Sequence, residues 1–254
     1  MANLSKSFNA VNPLALAALL QPNPKLDRIV SFLNSVPGTD KVLMFIQYYS
    51  KIVIWSLLRL GKKELAERVA NFANPVGDFR ILLRYYGLLP LVQWMIHIEH
   101  NPPPSSTLLF INRLQNLTMI LYYPLEHIWW LAYHKVIDVA ESKMNRIGIW
   151  SCRFWAAYVF LEFWALAEQW KLLKKRERSI VKKVDAQEVD ILREQQAVRT
   201  EKEQIVRSTL INVGYLPLTI HWSLENSSFP DVGVGFFGTL AAVYQTIGCW
   251  KSTA

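Results

Sequence analysis

The sequence predicts an all-α, membrane-associated fold, with amphipathic helices in its N-terminal part and a transmembrane helical hairpin at its C-terminus. Three observations support this prediction. First, 52% of the 254 residues are apolar and 19% are charged, whereas soluble domains average about 45–50% and about 25%. Second, apolar residues recur with a helical period in much of the chain. Third, two uncharged stretches, 208–224 and 232–250, are separated only by a short polar turn.

The N-terminal region begins with a predicted flexible leader, residues 1–24, which closes with Gln21-Pro-Asn-Pro. Residues 25–100 are expected to form an N-terminal amphipathic helical region. Its first helix, 26–36, should end at Pro37-Gly38, because proline and glycine commonly mark helix ends. A second helix should begin at Thr39 or Asp40, whose side chains can cap it, and run to Leu60.

A third N-terminal helix has the most regular amphipathic pattern. Leu65, Val69 and Phe72 fall at positions i, i+4 and i+7, and charged or polar residues take the other side. The helix is expected to break at Pro75 and Gly77, after which the helical pattern resumes. This segment is therefore the strongest candidate for a helix that lies at a membrane surface.

The middle of the chain is expected to hold aromatic-rich helices. Residues 85–98 are an uncharged stretch of 14 residues, which is short for a membrane span. A Pro-rich linker, 101–106, separates it from 107–170, where aromatic interfacial or membrane helices are predicted. Each isolated charge in these helices would cost about 2.5–3.5 kcal/mol at a bilayer centre. These charges are Glu126, Arg153, Glu162 and Glu168. The helices should therefore lie in the interface or pack against each other.

Residues 171–207 are predicted to be a charged, solvated helical segment. The first part, 171–183, contains seven basic residues and one acidic residue. One apolar residue recurs in each heptad, but the other core position of a coiled coil is polar, so only half of that pattern is met. The recurring apolar residues are Val184, Ile191, Val198 and Ile205. The basic run could contact anionic headgroups or RNA, or form a solvated surface.

The C-terminal region, 208–250, is predicted to be the membrane hairpin. Its second arm has 19 uncharged residues, about 28 Å of helix against a hydrocarbon core of about 30 Å. In that arm Gly235, Gly238 and Ala242 are small residues that could let two copies approach closely. Self-association through these residues is therefore predicted. The alternative is that glycine is simply common in membrane helices.

Catalytic and metal sites are not indicated. The five histidines do not form a His-Glu-x-x-His motif or a set of histidine boxes. Nucleophile elbows, phosphate-binding loops and dinucleotide fingerprints are also missing from the sequence. We therefore predict no catalytic residues, no metal and no cofactor. The net charge of +8 suits nucleic acid or an anionic membrane. Because the apolar excess favours lipid, the predicted partner is an anionic phospholipid membrane and not nucleic acid.

Several blocks of the sequence resemble the peroxisomal biogenesis factor 11 family, in particular its fungal members. Residues 40–51 look like the opening helix of that family, and residues 79–87 look like its basic, leucine-rich helix end. Residues 150–155 match its aromatic segment, and residues 207–223 are the most recognisable stretch. The resemblance extends from about residue 26 to residue 250.

This resemblance implies a peroxisomal membrane protein that elongates the organelle before division, self-associates and engages the peroxisomal fission machinery. In this hypothesis Leu65, Val69 and Phe72 insert into one leaflet to a depth of about 5–10 Å and so favour curvature. The basic residues predicted to hold headgroups are Lys62, Lys63, Arg68, Arg80 and Arg84. The alternative hypothesis is a pore or carrier for small metabolites, suggested by the charges within the aromatic helices.

Overall fold

The computed structural model describes residues 21–181 and 188–253, and within these ranges every regular element is a helix. The predicted all-α membrane-type class is confirmed. Most of the predicted leader, residues 1–20, lies outside the described residues. The helices are α1 (Pro24–Asn34), α2 (Val36–Arg59), α3 (Lys63–Leu83), a 3₁₀ turn (Arg84–Gly87), α4 (Leu88–His100), α5 (Ser106–Tyr133), α6 (Glu141–Val181), α7 (Glu188–Ser223) and α8 (Asp231–Ser252).

The boundary between α1 and α2 lies at Ser35, so the predicted boundary at Pro37-Gly38 and the predicted caps at Thr39 or Asp40 are wrong. The Ser35 hydroxyl oxygen accepts a hydrogen bond from the backbone N–H of Gly38 at 3.0 Å, and this bond caps α2. Pro37 then lies in the first turn of α2. Proline is favoured there, because the first-turn N–H groups have no partner within the helix.

The predicted break at Pro75 and Gly77 is also wrong, because α3 continues through both residues. A proline inside a helix removes a backbone hydrogen bond and costs about 3 kcal/mol. Packing on α2 offsets part of that cost. At Gly77 the two helices approach so closely that a Cβ atom would lie 2.6 Å from Nε2 of Gln47.

The helices pack in the spatial order α3, α2, α8, α7, α6, α5, and each contacts its neighbours in this order. The neighbours are antiparallel. The C-terminal half of α2 meets the beginning of α8 through an ion pair between Lys51 and Asp231 at 2.8 Å, whereas Phe32 of α1 contacts Trp250 at the end of α8. The helical hairpin formed by α3 and α4 with α5 completes the bundle.

The long helices α6 and α7 form a paired extension, which we call the stem (166–181 and 188–205). Its apolar seam consists of Leu166, Leu173 and Ile180 from α6 and of Ile191, Val198 and Ile205 from α7. Both sets repeat every seven residues, so each helix contributes one apolar residue per heptad to the seam. Val184 lies outside the described residues. The predicted segment boundaries at 170–171 and 207–208 fall inside α6 and α7.

Three stretches of the described chain are long and apolar enough to cross a membrane, namely Val36–Arg59, Lys63–His100 and Asp231–Ser252. The last one is the predicted second arm of the hairpin. The predicted first arm is the C-terminal part of α7, which packs on α8 around Gly214 but does not belong to the three stretches. The other two stretches lie in the N-terminal region, where an amphipathic helical region was predicted.

Candidate membrane-contact site

Helix α3 has two different faces. Ala66, Ala73 and Arg80 recur every seven residues and are buried, on the side that packs against α2. Small alanine side chains allow this close approach. Leu65, Phe72 and Phe79 also recur every seven residues, and 45%, 61% and 48% of their surface is exposed. We call these three residues the outer stripe.

The structure places two of the three predicted inserting residues, Leu65 and Phe72, in the outer stripe. Val69 lies at the edge of the stripe and is partly buried. Sequence reasoning missed Phe79, although its spacing of seven residues from Phe72 continues the pattern. The expected break at Pro75 ended the predicted face too early. Membrane contact by these residues stays a prediction.

Three of the five predicted headgroup-binding residues lie near the beginning of α3. Lys62, Lys63 and Arg68 are exposed and have no ion pair within the described ranges. Lys62 and Lys63 follow Gly61, whose positive φ of 73° forms the tight turn after α2. The charged end of α3 therefore stands beside the end of one candidate membrane-spanning helix.

The other two predicted headgroup residues are engaged inside the bundle, so this part of the prediction is corrected. Arg80 is 6% exposed. Its Nε donates to Oδ1 of Asp40 at 2.8 Å, and its Nη1 donates to Oε1 of Gln47 at 2.5 Å. A guanidinium group that is held by two partners on α2 is not available to a lipid phosphate.

Arg84 binds Glu126 of α5 in a bidentate arrangement. Its Nε lies 2.8 Å from Oε2 and its Nη2 lies 2.6 Å from Oε1 of the carboxylate. The Tyr122 hydroxyl donates a further hydrogen bond to Oε1 at 2.6 Å. Bidentate, charge-assisted bonds are among the stronger polar contacts in proteins. Arg84 therefore connects the 3₁₀ turn to α5 and does not face headgroups.

Two further polar contacts join the neighbouring helices α3 and α4 to α5. Nε1 of Trp130 donates to Oδ1 of Asp78 at 2.8 Å, and Nη2 of Arg113 donates to Oε2 of Glu99 at 2.6 Å. Together with the Arg84 contact, they run along the antiparallel hairpin from its open end towards the 101–105 linker. Residues 78–99 are therefore attached to α5 through several polar contacts, whereas the beginning of α3 packs mainly against α2.

The predicted self-association residues pack within the chain, which corrects their assignment. A Cβ atom on Gly238 would lie 2.2 Å from Cδ1 of Tyr48, and one on Gly235 would lie 3.0 Å from the Tyr48 carbonyl oxygen. Ala242 is fully buried in a cluster with Met44 and Leu218. These small residues allow α2 and α8 of one chain to approach. Within one chain these residues are therefore covered by their neighbours and are not exposed.

The described residues contain no group of three or more His, Cys, Asp or Glu side chains placed to hold a metal ion. The charged side chains of the aromatic helices have protein partners instead. Glu162 accepts a hydrogen bond from Nε2 of Gln115 at 2.5 Å, and Glu168 accepts one from the Ser105 hydroxyl at 3.2 Å. Nε of Arg153 donates to the Ser223 carbonyl oxygen at 3.2 Å.

Comparison with known proteins gives a consistent result. A family model described as peroxisomal biogenesis factor 11 matches residues 26–250. Human peroxisomal membrane protein 11C is 24% identical over 225 residues, which cover 86% of this chain and 91% of the human protein. A protein of Schizosaccharomyces pombe is 25% identical over 183 residues, covering 71% and 76%. Peroxisomal membrane protein 11B of Arabidopsis thaliana is 24% identical over 156 residues, covering 61% and 67%. No solved structure matches the chain.

Proposed function

We propose, from the premise that this chain belongs to the peroxisomal biogenesis factor 11 family, that it elongates the peroxisomal membrane through the outer stripe of α3. The family makes it a peroxisomal membrane protein of peroxisome biogenesis. The finer mechanism is our proposal. In this mechanism α3 inserts its outer stripe into one leaflet and expands that leaflet relative to the other, which favours curvature.

The observation that carries the proposal is the exposure of the outer stripe on a helix whose opposite face is already packed. Full burial of a Leu or Phe side chain contributes about 1.5–3 kcal/mol. Since Leu65, Phe72 and Phe79 are about half exposed, moving them into lipid would contribute roughly 1 kcal/mol each. The stripe runs from Leu65 to Phe79, about 21 Å along the helix. This is enough apolar surface for a helix that lies along a leaflet.

The exposed cations at the beginning of α3 add an electrostatic attraction. A Lys or Arg near an anionic membrane surface contributes about 1 kcal/mol. Lys62, Lys63 and Arg68 are positioned for this role, because they are exposed at the beginning of the helix that carries the outer stripe. Glu64 and Glu67 are also exposed on this helix and weaken the attraction. The apolar stripe is therefore the larger contribution.

Assembly would concentrate such helices. We include homo-oligomerisation and engagement of the peroxisomal fission machinery in the proposal, because the family resemblance implies both. The copies would meet elsewhere than at Gly235, Gly238 and Ala242, since α2 covers these residues. Nucleic acid has no role in this proposal.

The pore or carrier hypothesis is less well supported. It was suggested by Glu126, Arg153, Glu162 and Glu168, and each of these side chains has an interhelical partner. Glu126 is paired with Arg84, and the other three are hydrogen-bonded to neutral groups of neighbouring segments. Such contacts satisfy buried polar groups and need no permeating solute to explain them. Solute flux through proteoliposomes separates the two hypotheses. A remodelling protein gives no flux above that of empty vesicles.

The test of the remodelling mechanism is tubulation of vesicles made of phosphatidylcholine and phosphatidylserine and containing the full chain. The variant carries Leu65→Asp and Phe72→Asp, which place two carboxylates in the apolar stripe. We expect electron microscopy to show tubules with the unmodified protein and round vesicles with the variant. The control carries Leu192→Asp and Val136→Asp, which change two exposed apolar residues outside α3. Tubules in the α3 variant, or an equal loss in the control, would contradict the mechanism.

A further inference from the structure

The base of the stem carries a basic groove of about 570 Å³ on α6. The residues that line it are Trp170, Lys171, Lys174, Lys175, Arg178 and Ser179. Trp170 is partly buried and packs against the apolar seam of the stem. The groove therefore has an aromatic floor that is fixed by the core and a row of cations along its edge.

The groove includes a contribution from the second helix of the stem. Nζ of Lys174 lies 5.4 Å from the centre of the Trp170 ring, and Nζ of Lys202, from α7, lies 5.7 Å from the same centre. Cations at these distances are attracted by the ring electrons. Trp170 thus brings together ammonium groups from two helices. A merely solvated basic run on one helix would not create this arrangement.

Positive charge exceeds negative charge in the groove. Lys171 lies 3.4 Å from Glu168, and Lys174 lies 2.8 Å from Glu177. The hydrogen bond from Lys174 lowers the pKa of the Glu177 carboxyl, which therefore stays ionised. Lys175 and Arg178 are exposed, and neither has an ion pair with another described residue. Two carboxylates thus oppose four cations of α6 and the additional cation of Lys202.

The position of the groove along the bundle indicates its ligand. Nζ of Lys251, at the end of α8, lies 3.2 Å from Oε2 of Glu203, and Ile205 packs in one cluster with Leu166. Trp170 therefore lies about one helical turn beyond the level of Trp250. If Asp231–Ser252 crosses the membrane, the groove begins at the headgroup layer, where tryptophan is enriched.

The length of the cation row indicates which kind of lipid headgroup could contact all of its cations. From Lys171 to Arg178 the helix rises about 10 Å, whereas the headgroup layer of one leaflet is about 5–8 Å thick. A simple phosphodiester lipid would reach only the first cations. A headgroup with an additional phosphate further from the bilayer would reach Lys175 and Arg178 as well.

We propose that this groove binds a phosphorylated inositol lipid, whose diester phosphate lies near Lys171 and whose outer phosphate contacts Lys175 and Arg178. The site is separate from the outer stripe of α3 and does not depend on the remodelling mechanism. It would make the membrane association of the stem sensitive to the phosphorylation of inositol lipids.

The experiment is native mass spectrometry of the detergent-solubilised full chain, offered equal amounts of phosphatidylinositol 4-phosphate, phosphatidylserine and phosphatidylcholine. We expect the phosphorylated inositol lipid to be retained preferentially. Lys175→Gln with Arg178→Gln should weaken its retention tenfold or more, since each cation near an anionic group contributes about fivefold. Lys202→Gln, on the other helix, should weaken it about fivefold.

The matched control carries Lys143→Gln with Arg146→Gln, which are exposed on the same helix with the same spacing and lower the net charge equally. We expect the control to retain the lipid within about twofold of the unmodified chain. An equal loss in both double variants would overturn the proposal, since only net charge would then matter. Equal retention of phosphatidylserine, or displacement of the lipid by inorganic phosphate at equal concentration, would overturn the assignment of a phosphorylated inositol lipid.

Discussion

Single residues show where sequence reasoning succeeds and where it stops. Leu65 and Phe72 could be predicted to share one face, because the helical period alone decides which residues are neighbours on a helix. Arg80 and Arg84 could not be assigned in this way. Their partners, Asp40 and Glu126, are 40 and 42 residues away in the sequence, so whether a cation faces lipid or an interior carboxylate depends on tertiary packing.

The Arg84–Glu126 pair leads to a prediction at this scale. Glu126→Gln removes the carboxylate and leaves the guanidinium of Arg84 without its counter-ion. Breaking a buried pair in this way typically costs about 3–5 kcal/mol. Because the Arg84 side chain is 31% exposed, we expect a loss near the lower value, about 3 kcal/mol. Thermal unfolding of the detergent-solubilised chain, followed by circular dichroism, measures it.

Glu99→Gln is the matched control for this substitution, because it makes the same chemical change in the exposed pair of Glu99 with Arg113. Exposed ion pairs contribute little to stability, so its unfolding temperature should stay close to that of the unmodified chain. Equal losses for the two variants would show that the buried pair has no special contribution.

At the scale of elements, the structure resolves patterns that were ambiguous in the sequence. The apolar residues of 191–205 supply one position per heptad, and their packing partners lie on a different helix, α6, so the pairing of the two helices was not evident from the sequence. From the sequence alone, the small residues of α8 were equally compatible with a contact to a second copy of the chain and with a contact to α2. Only the presence of Tyr48 against Gly238 decides between them.

Gly238→Ala tests this assignment of α8. The added Cβ would lie 2.2 Å from the Tyr48 ring, so α2 and α8 would have to move apart. Overpacking of a core typically costs about 1–3 kcal/mol, and we expect a loss of unfolding free energy in this range without a change in the oligomeric mass. Gly248→Ala is the control, because its nearest neighbour is the flexible Arg207 side chain at 3.2 Å. A change in mass measured by light scattering, with unchanged stability, would instead favour a contact between copies.

At the scale of the whole molecule, composition and segment length were sufficient for the fold class, since both report on burial in lipid and neither needs a tertiary contact. The spatial order of the helices was not predictable, because the outer faces of several helices are similarly apolar. The bundle also changes the membrane prediction. Two of its three candidate spans, Val36–Arg59 and Lys63–His100, lie in the N-terminal region, where an amphipathic helical region was predicted.

The antiparallel packing predicts which segments share a side of the membrane. The Lys251–Glu203 contact places the C-terminus and the stem at one end of the bundle, and the Lys51–Asp231 contact places the 224–230 connector at the other end. Single cysteines at Ser179, Ser252 and Asn226, in a chain with Cys152→Ser and Cys249→Ser, report these positions. On intact organelles a membrane-impermeant maleimide should label Ser179→Cys and Ser252→Cys to the same extent. The extent of labelling at Asn226→Cys should differ from theirs, because this position lies at the other end of the bundle. Full labelling of all three on intact organelles would show that α8 does not cross the bilayer, because no membrane would then separate its two ends.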